Sequence, residues 1–205
     1  MDRMVKRIFL GTSIILWIAL VCCGFIVLFA YSSAPGTPGD PPRIWPAGSR
    51  LPRIEGRQTL LLFAHPRCPC SRASIYEFEK ILSRTKAELN AVIVFIKPSG
   101  VEADWEKWDP WQRTQSIPGV QVFTDDGGAE ALRFKAFTSG QALLYDPESR
   151  LRFQGGITAS RGHEGDNEGK NAILSLLNGS IPTHSPTAVF GCPLRREQEE
   201  SHEKS

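Results

Sequence analysis

The chain has 205 residues, with 24 Lys and Arg against 22 Asp and Glu, and a formal net charge of +2. Because this balance leaves no basic stripe, we expect no nucleic-acid partner. No catalytic triad, phosphate loop, nucleotide fingerprint or carboxylate pair is visible in the sequence, which argues against hydrolase or transferase chemistry. Outside one apolar segment, the length suffices for a single domain with its own hydrophobic core.

Residues 8–31 form an uncharged apolar segment near the N-terminus. As a helix rising about 1.5 Å per residue, it exceeds the ~30 Å hydrocarbon core of a bilayer. A signal peptide is the alternative, although its apolar stretch usually has about 7–15 residues. Arg3, Lys6 and Arg7 precede the segment, so the positive-inside rule places residues 1–7 in the cytoplasm. We therefore predict a single-pass anchor in the inner (cytoplasmic) membrane, with the remaining chain on the periplasmic, extracytoplasmic side.

The rest of the chain divides into a linker, an α/β domain and a tail. Residues 32–52 are rich in proline and glycine, which predicts an extended linker, with Trp45 as the residue that docks on the domain. Residues 195–205 are charged and are predicted to be disordered. In between, the domain at 53–194 has the following predicted elements: strand 59–64, helix 71–84, strand 91–96, a helical insert at 102–115, strand 120–123, helix 129–137, a hairpin of 141–145 and 150–154, and helix 170–177.

Cys68, Pro69 and Cys70 lie between the first predicted strand and the first predicted helix of the domain. A helix N-terminus offers unpaired N–H groups and a partial positive charge, and both stabilise a thiolate. Pro69 suits the first helical turn, and Arg67 adds positive charge nearby. The placement predicts reactive thiols, while a fixed disulfide or two unreactive thiols is the alternative.

The stretch LLFAHPRCPCSRAS at 61–74 resembles the active-site stretch of membrane-tethered thioredoxin-like proteins of the cytochrome-maturation type. Together with WPAGS at 45–49, TSG at 138–140 and GGIT at 155–158, it resembles the RedB-type proteins over residues 45–194. The resemblance implies an α/β, thioredoxin-like fold, in which helices flank a central mixed sheet. It also implies thiol–disulfide chemistry with Cys68 as the nucleophile.

Two departures limit what the resemblance implies. One residue separates Cys68 from Cys70 where the family has two, so a disulfide between them would be strained and oxidising. Alternatively, the two never pair, and Cys192 resolves one of them. Ser139 stands where the family has a cis-proline that shields the dithiol, which puts ordinary thioredoxin substrates in doubt and leaves more room for a metal ion.

A glycine-rich loop at 155–167 should lie beside the cysteine motif, because the last strand of such a fold returns to that end. Within it, Arg161 could hold an anionic group or stabilise a thiolate, and His163 could accept a proton or bind a metal. The competing interpretation is an ordinary turn before the last helix. Cys192 either lies near the cysteine pair or is a buried thiol.

Three functions fit these patterns. The first is a thiol–disulfide oxidoreductase without a cofactor, with Cys68 and Cys70 as catalytic residues and an unknown extracytoplasmic protein thiol or disulfide as its partner. The second is a copper or zinc carrier using Cys68, Cys70 and His163 as ligands, since soft thiolates favour these metals. The third is a binding module that has lost redox activity.

Overall fold

The computed structural model of the protein describes residues 2–180 and 186–195. The chain forms two compact units, Met1–Ala34 and Pro35–Ser205. The first unit is helix α1 (Asp2–Ser33), whose apolar side chains are exposed along its length. By length and composition this helix could cross a membrane, and a signal sequence near the N-terminus would have the same properties.

The second unit is built on one five-stranded sheet. Its strands are β1 (Gln58–Ala64), β2 (Leu89–Lys97), β3 (Val120–Asp126), β4 (Gln141–Tyr145) and β5 (Leu151–Gly156). Their order across the sheet is β3-β2-β1-β4-β5. β1, β2 and β3 run parallel, whereas β4 is antiparallel to both β1 and β5. In the central strand, Leu61 lies opposite Val92 on one side and Leu143 on the other. The predicted mixed sheet is confirmed.

Four helices accompany the sheet: α2 (Pro69–Arg84), α3 (Asp109–Thr114), α4 (Ala129–Arg133) and α5 (Glu168–Leu177). Two of them are shorter than the predicted helices. In the insert at 102–115, turns precede α3, which begins only where Pro110 can occupy the first helical turn. The helix predicted for 129–137 ends at Arg133, because Lys135 adopts a left-handed backbone conformation with φ of 48°.

Both faces of the sheet are covered, because alternate side chains of the central strand point to opposite sides. Leu60 and Leu62 belong to a core cluster that contains residues of α2 and α5. Leu61 and Phe63 belong to a second cluster that contains Phe134, just after α4. This double burial explains why β1 and β2 are almost continuously apolar in sequence.

The proline-rich segment covers part of the second face. As predicted, Trp45 docks there, with its ring 5.0 Å from that of Phe134 and 5.2 Å from that of Tyr145. The Tyr145 hydroxyl donates a 2.8 Å hydrogen bond to the carbonyl of Pro42, and burial raises the pKa of this phenol. The compact unit therefore begins at Pro35, and most of the segment predicted as a linker at 32–52 packs on the domain.

The end of the described chain also joins the domain. Leu194 is 3 % exposed and lies in the second core cluster. Its amide donates a 2.8 Å hydrogen bond to the carbonyl of Phe137. Of the tail predicted to be disordered at 195–205, only Arg195 is among the described residues.

Candidate thiol site

Cys68 stands at the junction between the central strand and its helix. β1 ends at Ala64, and Cys68 is the N-cap of α2, with Pro69 in the first turn. The Cys68 amide donates to the His65 carbonyl at 3.1 Å, which closes the turn between the strand and the helix. The structure therefore has the motif at a helix N-terminus, as the sequence predicted.

Cys68 lies beside Cys192, which comes from the other end of the domain. Their Sγ atoms are 2.8 Å apart, and both cysteines are free. This separation is longer than the ~2.05 Å of a disulfide bond, so the pair consists of two thiols placed within reach of forming one. Of the two locations that the sequence left open for Cys192, the structure has the one beside the pair.

Residues 189–194, here called the C-terminal strap, hold Cys192 in place. The Ser139 amide donates to the Cys192 carbonyl at 2.8 Å, and Thr138 forms an antiparallel bridge with Pro193. On the other side of the strap, the Gly36 amide donates to the Val189 carbonyl at 2.8 Å. The strap is therefore held by backbone hydrogen bonds, as a strand added to an edge would be.

Gly191 lets the strap approach this closely. A Cβ atom at this position would overlap the carbonyl oxygen of Ser139. Arg161 fixes the same peptide, because its Nη1 donates a 2.6 Å hydrogen bond to the Gly191 carbonyl. The glycine-rich loop does lie beside the cysteine motif, and one contact of its arginine is with the strap that carries Cys192.

Ser139 connects the strap to the turn before α2. Its Oγ accepts a 3.0 Å hydrogen bond from the His65 amide and lies 2.8 Å from Oγ of Ser71. The Ser71 hydroxyl donates in turn to the His65 carbonyl at 2.7 Å. This buried serine pair ties the segment before β4 to the first turn of α2. Ser71 was not among the predicted site residues, although its place in the first helical turn beside the motif was visible in the sequence.

The three thiols share their protons unequally. Hydrogen bonds from Cys192 and then Cys70 lower the pKa of Cys68 to about 2, although burial opposes the shift. The hydrogen bond with Cys68 chiefly raises the pKa of Cys192, with further contributions from Cys70 and from burial. For Cys70, the hydrogen bond with Cys192 lowers the pKa, but the hydrogen bond to Cys68, burial and the negative charge of Cys68 together raise it. These shifts favour a thiolate on Cys68 over one on Cys70 or Cys192.

Two further residues that the sequence suggested for the site, Arg67 and His163, lie in different surroundings. The guanidinium of Arg67 is 4.5 Å from the ring centroid of Trp105 and 4.9 Å from that of Trp108, so it stacks on the insert before α3. His163 is exposed, and its amide closes a turn with the Ser160 carbonyl at 3.3 Å.

Among residues 2–180 and 186–195, no group of three or more His, Cys, Asp and Glu side chains is arranged to hold a metal ion. The copper or zinc site of Cys68, Cys70 and His163 stays a prediction.

Comparisons with known proteins add the following. No family model matches the chain, and no curated protein matches it. Among solved structures, it is similar to an uncharacterized conserved protein from Geobacillus kaustophilus, with 14 % identity, a TM-score of 0.57, and coverage of 80 % of this chain and 93 % of that one. A hypothetical protein from Sinorhizobium meliloti 1021 has 18 % identity, a TM-score of 0.51, and coverage of 78 % and 93 %. The pneumococcal exposed lipoprotein thioredoxin from Streptococcus pneumoniae has 18 % identity, a TM-score of 0.46, and coverage of 68 % and 99 %.

The sheet topology defines the fold of the domain. Three parallel strands lead into an antiparallel hairpin, and the cysteine motif sits where the central strand passes into its helix. This chain has a thioredoxin-like fold.

Proposed function

We propose that this protein is a membrane-tethered, extracytoplasmic thiol–disulfide oxidoreductase whose redox couple is Cys68 with Cys192. The observation that carries the proposal is the 2.8 Å separation of the two sulfurs at the N-terminus of α2. Cys70, one residue beyond Pro69, acts in this scheme as a hydrogen-bond partner of the Cys68 thiolate. The sequence predicted Cys68 and Cys70 as the catalytic residues and left Cys192 open as the resolving thiol, and the proposal adopts that alternative.

The couple exchanges two electrons with a partner. When the reduced protein meets a disulfide, one protein sulfur attacks, a mixed disulfide forms and one partner thiolate leaves. The second protein sulfur then displaces the remaining partner thiolate and closes the Cys68–Cys192 disulfide. The partner disulfide becomes two thiols, and the protein dithiol becomes a disulfide. A dithiol reductant restores the starting state by the reverse sequence.

The same proposal includes the side of the membrane on which the domain lies, which is argued from the residues at the start of α1. Arg3, Lys6 and Arg7 precede the apolar segment, and the positive-inside rule keeps such residues in the cytoplasm. The thioredoxin-like domain then lies on the periplasmic side of the inner membrane, where disulfides form and persist. The partner is a thiol or disulfide of a protein in that compartment.

The test is disulfide mapping on the full chain in detergent, after mild oxidation and acid quenching. We expect a Cys68–Cys192 disulfide in the wild type and in Cys70→Ser, and its loss in Cys68→Ser and Cys192→Ser. Reduction of a model disulfide should be lost in Cys68→Ser and kept in a Cys22→Ser/Cys23→Ser control, whose sites lie on α1. Full turnover in Cys68→Ser would refute the proposal. Slow, unperturbed thiols without any disulfide would point to the redox-inactive binding module.

A further inference from the structure

The two sulfurs of the couple differ in how far an outside molecule can reach them. Cys68 is 2 % exposed, whereas Cys192 is half-buried and is followed by exposed Pro193. A polypeptide partner therefore meets Cys192 before it can reach Cys68.

The strap is held firmly against the domain, so it does not simply move away to expose Cys68. The Ser139 amide, the Gly36 amide and the Arg161 guanidinium all donate hydrogen bonds to its carbonyls. Gly191 rests against the Ser139 peptide without room for a Cβ atom, and Leu194 is buried at the end of the strap. These contacts keep Cys192 on the accessible side of the pair and keep Cys68 beneath it.

The chemistry of the leaving sulfur favours the same direction of attack. Attack on Cys192 releases Cys68, whose thiolate stays at the N-terminus of α2 with Cys70 as a hydrogen-bond partner. Attack on Cys68 would instead release Cys192, which lies on the strap and does not itself cap a helix whose N-terminus would stabilise a thiolate. In thiol–disulfide exchange, the sulfur with the lower pKa leaves faster, and access decides which sulfur is attacked.

We propose that Cys192, rather than Cys68, forms the mixed disulfide with the redox partner, a protein dithiol, and that Cys68 is the buried sulfur released in that step. The inference rests on the proposed Cys68–Cys192 couple. A partner thiolate attacks Sγ of Cys192, the Cys68–Cys192 bond breaks, and its electron pair leaves on Cys68. The partner's second thiol then attacks the partner sulfur of the mixed disulfide, and its proton goes to the departing Cys192. The partner dithiol is oxidised by two electrons, and the protein disulfide is reduced.

Sulfite can report which sulfur is attacked, because it leaves a lasting mark there. It opens a disulfide to an S-sulfonate on the attacked sulfur and a thiolate on the other. The oxidised full chain is treated briefly with sulfite, quenched with acid, alkylated and mapped by peptide mass spectrometry. We expect the S-sulfonate on Cys192 and the alkyl group on Cys68, with a preference of about tenfold or more, because both access and leaving ability favour Cys192.

A Cys70→Ser chain is the matched control, because it keeps both sulfurs of the couple, replaces the S–H donor to Cys68 by an O–H donor and removes reshuffling through the third thiol. The same preference for Cys192 in this variant supports the inference. An S-sulfonate mainly on Cys68, or equally on both, overturns the inference while leaving the redox couple intact. A chain that forms no Cys68–Cys192 disulfide on oxidation overturns both.

Discussion

Helix α2 carries two buried polar centres, and they are built in opposite ways. At its N-terminus, hydrogen bonds from Cys192 and then Cys70 lower the pKa of Cys68 and so favour its thiolate. Further along the same helix, Glu77 is fully buried and meets the ammonium group of Lys170, itself 1 % exposed, at 2.6 Å. The carboxylate also accepts hydrogen bonds from the Gly165 amide at 2.8 Å and from Lys80 at 3.1 Å.

The difference lies in what balances each negative charge. Burial raises the pKa of Glu77, but the hydrogen bonds from Lys170, Gly165 and Lys80 outweigh it and hold the pKa below its ordinary value. Lys170 also donates to the Gly165 carbonyl at 2.6 Å, so this pair secures the loop that carries Arg161. The thiolate, by contrast, has donors that are themselves reactive. A fully paired buried charge holds the packing around it in one arrangement, whereas a charge held by thiols is available for chemistry.

The substitution with the largest expected effect on stability is Lys170→Met. It leaves the carboxylate of Glu77 buried without its main partner, which should cost about 3–5 kcal/mol of unfolding free energy. Urea unfolding of the full chain in detergent, followed by tryptophan fluorescence, measures this loss. The double variant Glu77→Leu/Lys170→Met is the matched control and should recover most of the stability, because no unpaired charge remains. A loss below about 1 kcal/mol in the single variant would show that Glu77 does not depend on Lys170 as its main partner.

The corresponding change at the thiol centre is Cys192→Ala, which removes the main hydrogen bond that lowers the pKa of Cys68. The pKa of Cys68 should rise from about 2 toward the ordinary thiol value of about 8.5. In Cys192→Ser, which keeps an O–H donor, the rise should be smaller. The measurement is the pH titration of thiolate ultraviolet absorbance, taken as the difference from the same chain carrying Cys68→Ser. An unchanged titration in Cys192→Ala would show that Cys192 does not lower the pKa of Cys68.

A smaller effect is expected from Gly191→Ala, which tests the strap alone. The added Cβ atom would overlap the Ser139 carbonyl, so the strap must shift and move Cys192 away from Cys68. Closure of the disulfide should slow by about tenfold, because it depends on the effective concentration of one sulfur at the other. Timed acid quenching and alkylation give the rate. Gly24→Ala, at a position with open space, is the control, and equal rates in the two variants would contradict the role given to Gly191.

Local patterns predicted the sheet and the first half of the site. The apolar runs of β1 and β2, separated by an amphipathic helix, placed Cys68 at a helix N-terminus, and this is a matter of neighbouring residues alone. Cys192 could not be located in the same way, because the bridge between Thr138 and Pro193 depends on pairing between distant segments. The Pro- and Gly-rich composition of 32–52 predicted extended backbone, but it could not show that this backbone lies on the sheet.

The buried ion pair has a signature in the sequence. Glu77 stands beside Phe78 on the inward side of α2, where a carboxylate needs a partner. Lys170 likewise lies among the buried residues of α5. Two charged residues on facing apolar stripes indicate a buried salt bridge, although the loop amide that completes it comes from tertiary packing.

Because Cys68 and Cys192 are far apart along the chain, a disulfide between them would restrict most of the unfolded domain. Cys68 and Cys192 are 124 positions apart, so their disulfide would enclose α2, α5 and every strand except β1. Closing a loop of that length restricts the unfolded chain by about 5 kcal/mol in the loop-closure account. Since the same free energy enters the equilibrium between dithiol and disulfide, the folded domain favours the oxidised form more than the unfolded chain does. In the proposed couple, the reduction potential of the folded domain would therefore be lower than that of the unfolded chain by the stability that the disulfide adds.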